Sequence, residues 1–191
     1  MGESMQILLV DDESGLLDQA KIFLERLAEE IEVSTASSAE KAIEMIDGED
    51  FDVIVSDYQM PGKDGLEFLE EVREEKDSDI PFIIFTGKGR EEVAMKALNL
   101  GANRYLQKGG DPSAQYSVLA QAIEQEVEHH RTELDLEKSE KRYRKLVETT
   151  GNIIIKHDKD GMVEFTNQAG LDFTGYSEEE FKGKKCHSFS P

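Results

Sequence analysis

The chain is 191 residues long and carries 42 Asp and Glu against 22 Lys and Arg, a formal charge of −20. This excludes a general binder of nucleic-acid phosphates or anionic membranes, because a field of that sign repels both. With 38% hydrophobic residues and one cysteine, Cys186, the composition allows one domain of ordinary size, part of a second and no internal disulfide, so a reducing, cytoplasmic setting is expected.

The acidity is uneven: residues 141–191 hold nine basic and eight acidic groups, leaving −21 for residues 1–140. That first part alternates apolar strand-like runs with amphipathic stretches. Strands are expected at 6–10, 32–36, 51–56, 81–86 and 104–107. Between them, apolar residues recur at helical spacing: Leu16, Ala20, Phe23, Leu24 and Leu27; Ala39, Ala42, Ile43 and Ile46; Leu66, Leu69 and Val72; Val93, Ala94, Ala97 and Leu98. Ser37, Ser38 and Glu40 predict a capping box before the second helix, and Asp111 with Pro112 predicts a cap followed by a proline at the first turn. Strands one, three and four are almost continuously apolar, as expected when helices cover both faces of a parallel sheet. The first part therefore reads as five β-α units on one parallel sheet.

From Pro112 the chain meets no Gly or Pro before Gly151, which predicts one long helix. Tyr116, Ala120, Ile123, Val127, His130 and Leu134 form one seam, and the phase then slips to Leu136, Tyr143, Leu146 and Val147. Two readings stay open. The helix packs on its own domain and is solvated beyond about Glu128, or it is a linker that pairs with a second copy and breaks near residues 134–136. After Gly151, strands are expected at 152–157 and 162–166 around a turn at Asp160 and Gly161, then short helices at 168–173 and 178–181. No apolar run reaches membrane-spanning length, and residues 1–6 lack the pattern of an export signal.

Chemistry gathers where strands end. Strand one runs into Asp11 and Asp12, strand three into Asp57, strand four into Thr86 and strand five into Lys108. In a parallel sheet of order 2-1-3-4-5 these five side chains face one cleft. Three carboxylates this close call for protons or a cation. Oxygen-only ligands favour a hard ion, Mg²⁺ above a Ca²⁺ cage. A carboxylate beside that ion and a lysine is poised to attack a phosphoryl group and form an aspartyl phosphate.

Residues 1–128 resemble the receiver domain of two-component response regulators. The resemblance rests on Asp11-Asp12, on the run from Asp57 through Met60, Pro61 and Gly62 to Asp64-Gly65, on Thr86-Gly87 and on Tyr105-Leu106-Gln107-Lys108. It implies the flavodoxin-like order 2-1-3-4-5, with Asp57 as phosphoacceptor and a sensor histidine kinase as phosphodonor. Asp12, Asp57 and the Gln59 carbonyl would hold Mg²⁺, with Asp11 acting directly or through a water. Lys108 would pair with the phosphoryl oxygens, and Thr86 and Tyr105 would switch. Gln59, Gly87 and Lys88 stand where the family tunes phosphoryl lifetime. One departure stands out: the family follows this lysine with a cis-proline, whereas Gly109 and Gly110 follow here, so a trans bond and a differently shaped loop are expected.

From Arg142 onward the chain resembles the start of a PAS domain after its helical linker, on the run from Glu140 to Glu148, on Phe165-Thr166-Asn167-Gln168-Ala169 and on Phe173-Thr174-Gly175-Tyr176-Ser177. The expected organisation is a receiver at 1–128, a linker at 129–148 continuing the fifth helix, and a truncated α+β PAS-like segment at 149–191. The resemblance implies a phosphorylation switch, the seam of the long helix allows homodimerisation through it, and the acidic charge with no basic recognition helix and no membrane-length apolar run leads us to expect no nucleic-acid or membrane partner. A regulatory front end of a hybrid sensory kinase and a phosphorylation-independent docking module are the other readings. His129 and His130 lack a kinase phosphoacceptor context, and the Gly87-Lys88-Gly89-Arg90 run lacks Walker spacing.

Overall fold

The computed structural model describes residues 4–27, 30–87 and 91–185. Cys186 and the run Lys88-Gly89-Arg90 lie outside the described residues. Two compact units divide the chain, Met1–Arg131 and Thr132–Pro191.

In the first unit the strands are β1 (Met5–Val10), β2 (Ile31–Ala36), β3 (Val53–Ser56), β4 (Phe82–Thr86) and β5 (Arg104–Gln107), and the helices are α1 (Ser14–Leu27), α2 (Ala39–Ile46), α3 (Gly65–Glu70) and α4 (Glu91–Asn99). The sheet is parallel with order β2-β1-β3-β4-β5. Alternation along the central strands sorts side chains between two cores. Ile7, Leu9, Val53, Val55, Ile83 and Phe85 pack with Leu17 and Leu24 of α1 and with Leu119 and Ile123. Leu8, Val10, Ile54, Phe82 and Ile84 pack on the other face with Ala39, Ala42, Leu66, Phe68, Leu69 and Ala97. Burial on both faces is why these strands read as unbroken apolar runs.

Ser38 is the N-cap of α2 and accepts from Lys41 N, so the third helical position holds a lysine and the expected capping box is absent there. A complete box instead opens α3, where the Asp64 carboxylate accepts from Leu66 N and Glu67 N while Glu67 accepts from Asp64 N. The α3 helix continues as a π-helical turn over Glu71–Glu75. Within that turn Arg73 donates to the carbonyls of Ser78 and Gly101. Burial lowers the pKa of its guanidinium against the pull of Asp79.

The fifth helix, α5 (Pro112–Thr149), runs unbroken, so the phase slip near Leu134 does not interrupt it. Tyr116, Ala120, Ile123 and Val127 are buried, His130 and Leu134 are half-buried, and the remaining residues 135–146 are exposed. The seam therefore records packing against the first unit's sheet up to Val127. Arg131 then donates through Nε and Nη2 to Asp52 Oδ1, at 3.1 and 2.7 Å, while Asp52 Oδ2 accepts from Gln6 N. Arg131→Ala is expected to cost about 1 kcal/mol in chemical unfolding, because the pair is partly exposed but doubly bonded.

In the second unit β6 (Ile155–His157) and β7 (Val163–Thr166) form an antiparallel ribbon with a register shift after Lys156, followed by α6 (Gln168–Thr174) and α7 (Glu178–Phe181). The Asp158–Gly161 turn closes through Gly161 N to Asp158 O, with Gly161 at φ +78°. Asn167 is fully buried. Its Nδ2 donates to the carbonyls of Val147 and Asn152, and its Oδ1 accepts from Ile154 N and Gly170 N. One amide thus satisfies an orphan carbonyl of the last α5 turn and caps α6.

Candidate functional site

The carboxyl ends of β1, β3, β4 and β5 open into a cleft of about 510 Å³, lined among others by Asp11, Asp12, Asp57, Gln59, Thr86, Lys108 and Gln115. Sequence spacing brings these groups together because β1 and β3 are neighbours, with β4 and β5 beside them. Asp11 N donates to Ala36 O and Asp57 N to Val10 O, so each acid leaves its strand with its backbone still held by the sheet.

Lys108 links the two inner acids. Its Nζ lies 2.5 Å from Asp11 Oδ2 and 2.7 Å from Asp57 Oδ1. The second oxygens are also engaged: Asp11 Oδ1 accepts from Glu13 N at 2.8 Å and Asp57 Oδ2 from Gln59 N at 2.6 Å. Burial of the ammonium works to lower its proton affinity, but the hydrogen bonds and charges of Asp11 and Asp57 outweigh it and hold Lys108 above the ordinary lysine range. The Phe85 ring lies 5.6 Å from Nζ and adds a weaker cation–π attraction.

Asp11, Asp57 and Thr86 are buried, whereas Asp12 is exposed at the mouth. Asp11, Asp12, Asp57 and Gln59 line the cleft and offer oxygen donors, with no His or Cys among them. That donor chemistry fits Mg²⁺. Among the described residues no three acidic, His or Cys side chains are gathered as a set of ion ligands, and Asp11 and Asp57 share the lysine instead. Tyr105 is half-buried on β5 and packs against the core that includes Ala97, not into the cleft.

The loop after Lys108 has no cis peptide, and Gly110 has φ +81°. Despite this departure Lys108 reaches both acids, because its own N–H donates to Thr86 O at 2.8 Å and fixes where the side chain leaves the sheet. Gln115 was not marked by periodicity or charge. Only its fixed distance from the Asp111-Pro112 helix start could have flagged it.

Residues 7–122 match the response regulator receiver domain. The chain belongs to that family. Residues 151–191 of this receiver-containing chain match the PAS domain. The receiver is similar to the response regulator SaeR of Staphylococcus aureus, with 36% identity over 106 residues, 56% of this chain and 45% of that protein. The aligned region thus spans less than half the length of that curated relative. Among solved structures, a response regulator receiver domain protein from Clostridium thermocellum superposes with TM-score 0.59 at 30% identity, covering 67% of this chain and 98% of that one. A CheY-like receiver protein from Methanospirillum hungatei gives TM-score 0.58 at 27% identity, covering 66% and 99%. The receiver therefore carries the fold and topology expected from its strands, and no helix among the described residues is long and apolar enough to cross a membrane.

Proposed function

We propose that this receiver takes a phosphoryl group from a sensor histidine kinase, or from a small phosphodonor, onto Asp57. The observation that carries the reading is the Lys108 ammonium held between Asp11 and Asp57 at the strand ends. An Asp57 oxygen attacks phosphorus as the bond to the donor breaks, leaving an aspartyl phosphate and the free donor. Lys108 stays with the phosphoryl oxygens and offsets their charge in a cleft whose inner groups, Asp11, Asp57 and Thr86, are buried. Asp12 and Asp57, with the Gln59 carbonyl and with Asp11 directly or through a water, would hold Mg²⁺, which supplies further charge neutralisation at the transferring oxygens.

The phosphoryl group adds roughly two negative charges. In this reading Thr86 moves to donate to it and Tyr105 follows into the space released, which biases the face formed by α4, β5 and the start of α5. A shift from mostly off to mostly on requires about 5.5 kcal/mol of differential interaction between the two forms. We assign the receiver to residues 1–128, the helical linker to 129–148 and the PAS-like segment to 149–191, with the linker carrying the change onward.

The test is intact-mass spectrometry of the chain with Mg²⁺ and phosphoramidate. A single adduct of about 80 Da is expected, absent from Asp57→Asn and from samples with chelator, since both remove the carboxylate–metal pair that the transfer requires. A folded protein that takes up no phosphoryl group, or an Asp57→Asn variant that takes up as much, sinks the reading.

A further inference from the structure

We infer that Gln115 is a positioning residue for Lys108, the latch that holds the lysine loop in a chain where two glycines follow the lysine; the catalytic part of this inference rests on the phosphotransfer reading above. On the strand side, Lys108 is fixed by its N–H bond to Thr86 O. On the other side stand Gly109 and Gly110, both exposed, with no atom within 4 Å of where a Cβ would sit at either. Side-chain packing therefore does nothing to order this loop, and two successive glycines carry the largest backbone entropy to be lost on ordering.

The Gly109 N–H is nevertheless held: it donates to Gln115 Oε1 at 3.0 Å. Gln115 is a firm anchor because three things place it. Asp111 caps the helix start, accepting from Ala114 N through Oδ2 at 3.1 Å and from Gln115 N through its carbonyl at 3.0 Å. Pro112 opens α5 with its backbone already restricted. Tyr116 and Leu119, one and four residues on, are buried in the core, with the Tyr116 ring 5.5 Å from Phe23 and 6.4 Å from Phe85. The path of constraint runs from that aromatic core through Gln115 to Gly109 and so to the backbone that carries Lys108. The half-buried side chain of Gln115 accepts from Gly109 N through Oε1 and is also hydrogen-bonded to the Tyr116 side chain.

The test uses the full chain and two readouts. The first is acylation of Lys108 by an amine-reactive anhydride, measured by peptide mass against Lys63 and Lys76 as internal references. The second is the rate of Asp57 adduct formation with phosphoramidate. Gln115→Met removes the acceptor at nearly constant length and is expected to raise Lys108 labelling at least about threefold relative to the references. It should also slow phosphorylation about tenfold, the worth of one lost hydrogen bond. Gln115→Glu keeps an acceptor oxygen and is expected to label like the wild type. Unchanged Lys108 labelling in Gln115→Met overturns the inference, as does labelling in Gln115→Glu as high as in Gln115→Met. If Gln115→Met labels every lysine alike, the comparison passes to Gln115→Asn, which keeps the amide one methylene short and is held to the same criterion. Selective labelling with no phosphoryl adduct on any variant would leave the positioning of Lys108 standing and remove the phosphotransfer reading.

Discussion

A methyl group added at Gly65 is expected to destabilise the first unit by about 3 kcal/mol and to displace the backbone of Asp57, the upper end of what overpacking costs. A Cβ there would stand 2.2 Å from the carbonyl oxygen of Asp57 and 3.0 Å from Cα of Tyr58. Both obstacles are backbone, so no rotamer change relieves the collision. Gly65 N also donates to Tyr58 O at 2.9 Å, and Asp64 is held by its capping box, so α3 cannot slide away without losing those bonds. Urea unfolding of Gly65→Ala beside Gly15→Ala checks this. Gly15 has nothing within 4 Å and should change stability by no more than about 0.5 kcal/mol, apart from helix propensity. Equal stability of Gly65→Ala and the wild type would refute the close approach.

Lys108→Ala is expected to lower phosphorylation at least about a hundredfold and to destabilise the fold by about 2–3 kcal/mol at neutral pH. The first figure is the usual effect of deleting a preorganised charge at a developing oxyanion. The second follows because the change leaves two carboxylates, each with a side chain about 10% exposed, facing one another without their shared cation. The pH dependence has a definite sign. The folded pKa of Lys108 is raised, since the two carboxylates outweigh the opposing effect of burial. Its stabilising contribution is therefore fully present below the unfolded-state value of about 10.4 and is lost as pH rises through the folded value. The stability gap between wild type and Lys108→Ala should hold steady between about pH 7 and 9 and close in more alkaline solution. A gap that widens there would contradict the ion-pair account.

Much of this was legible before any coordinates. Ile7 to Val10 and Phe82 to Phe85 could be called strands because both sheet faces are buried, and the strand ends of the first unit fell within two residues of the expected ones, whereas β6 begins at Ile155, three residues later than the expected start. Asp11, Asp12, Asp57, Thr86 and Lys108 could be grouped because strand order alone decides which loops meet. What escaped depends on partners distant in sequence or on choices among local alternatives. Ser37, Ser38 and Glu40 offered a capping box in two possible registers, and the helix took the one that puts Lys41 at the third position. Asp64 and Glu67 carried the same signal unremarked. Arg131 meets Asp52 across 79 residues, and no periodicity announces such a pair. The buried role of Asn167 was equally silent, since an asparagine before a helix reads as an ordinary cap until the carbonyls it also serves are in view.

The ammonium shared by Asp11 and Asp57 has a consequence for synthesis. Its partners are 97 and 51 residues apart from it in sequence, so a ribosome delivers both acids well before their counter-charge. A nascent chain that has formed β1 and β3 holds two apposed carboxylates, and that repulsion eases only once β5 has left the exit tunnel and docked. The centre is thus among the last parts of the unit to become favourable, which discourages chemistry on an unfinished chain and makes completion of the fold a condition for reactivity.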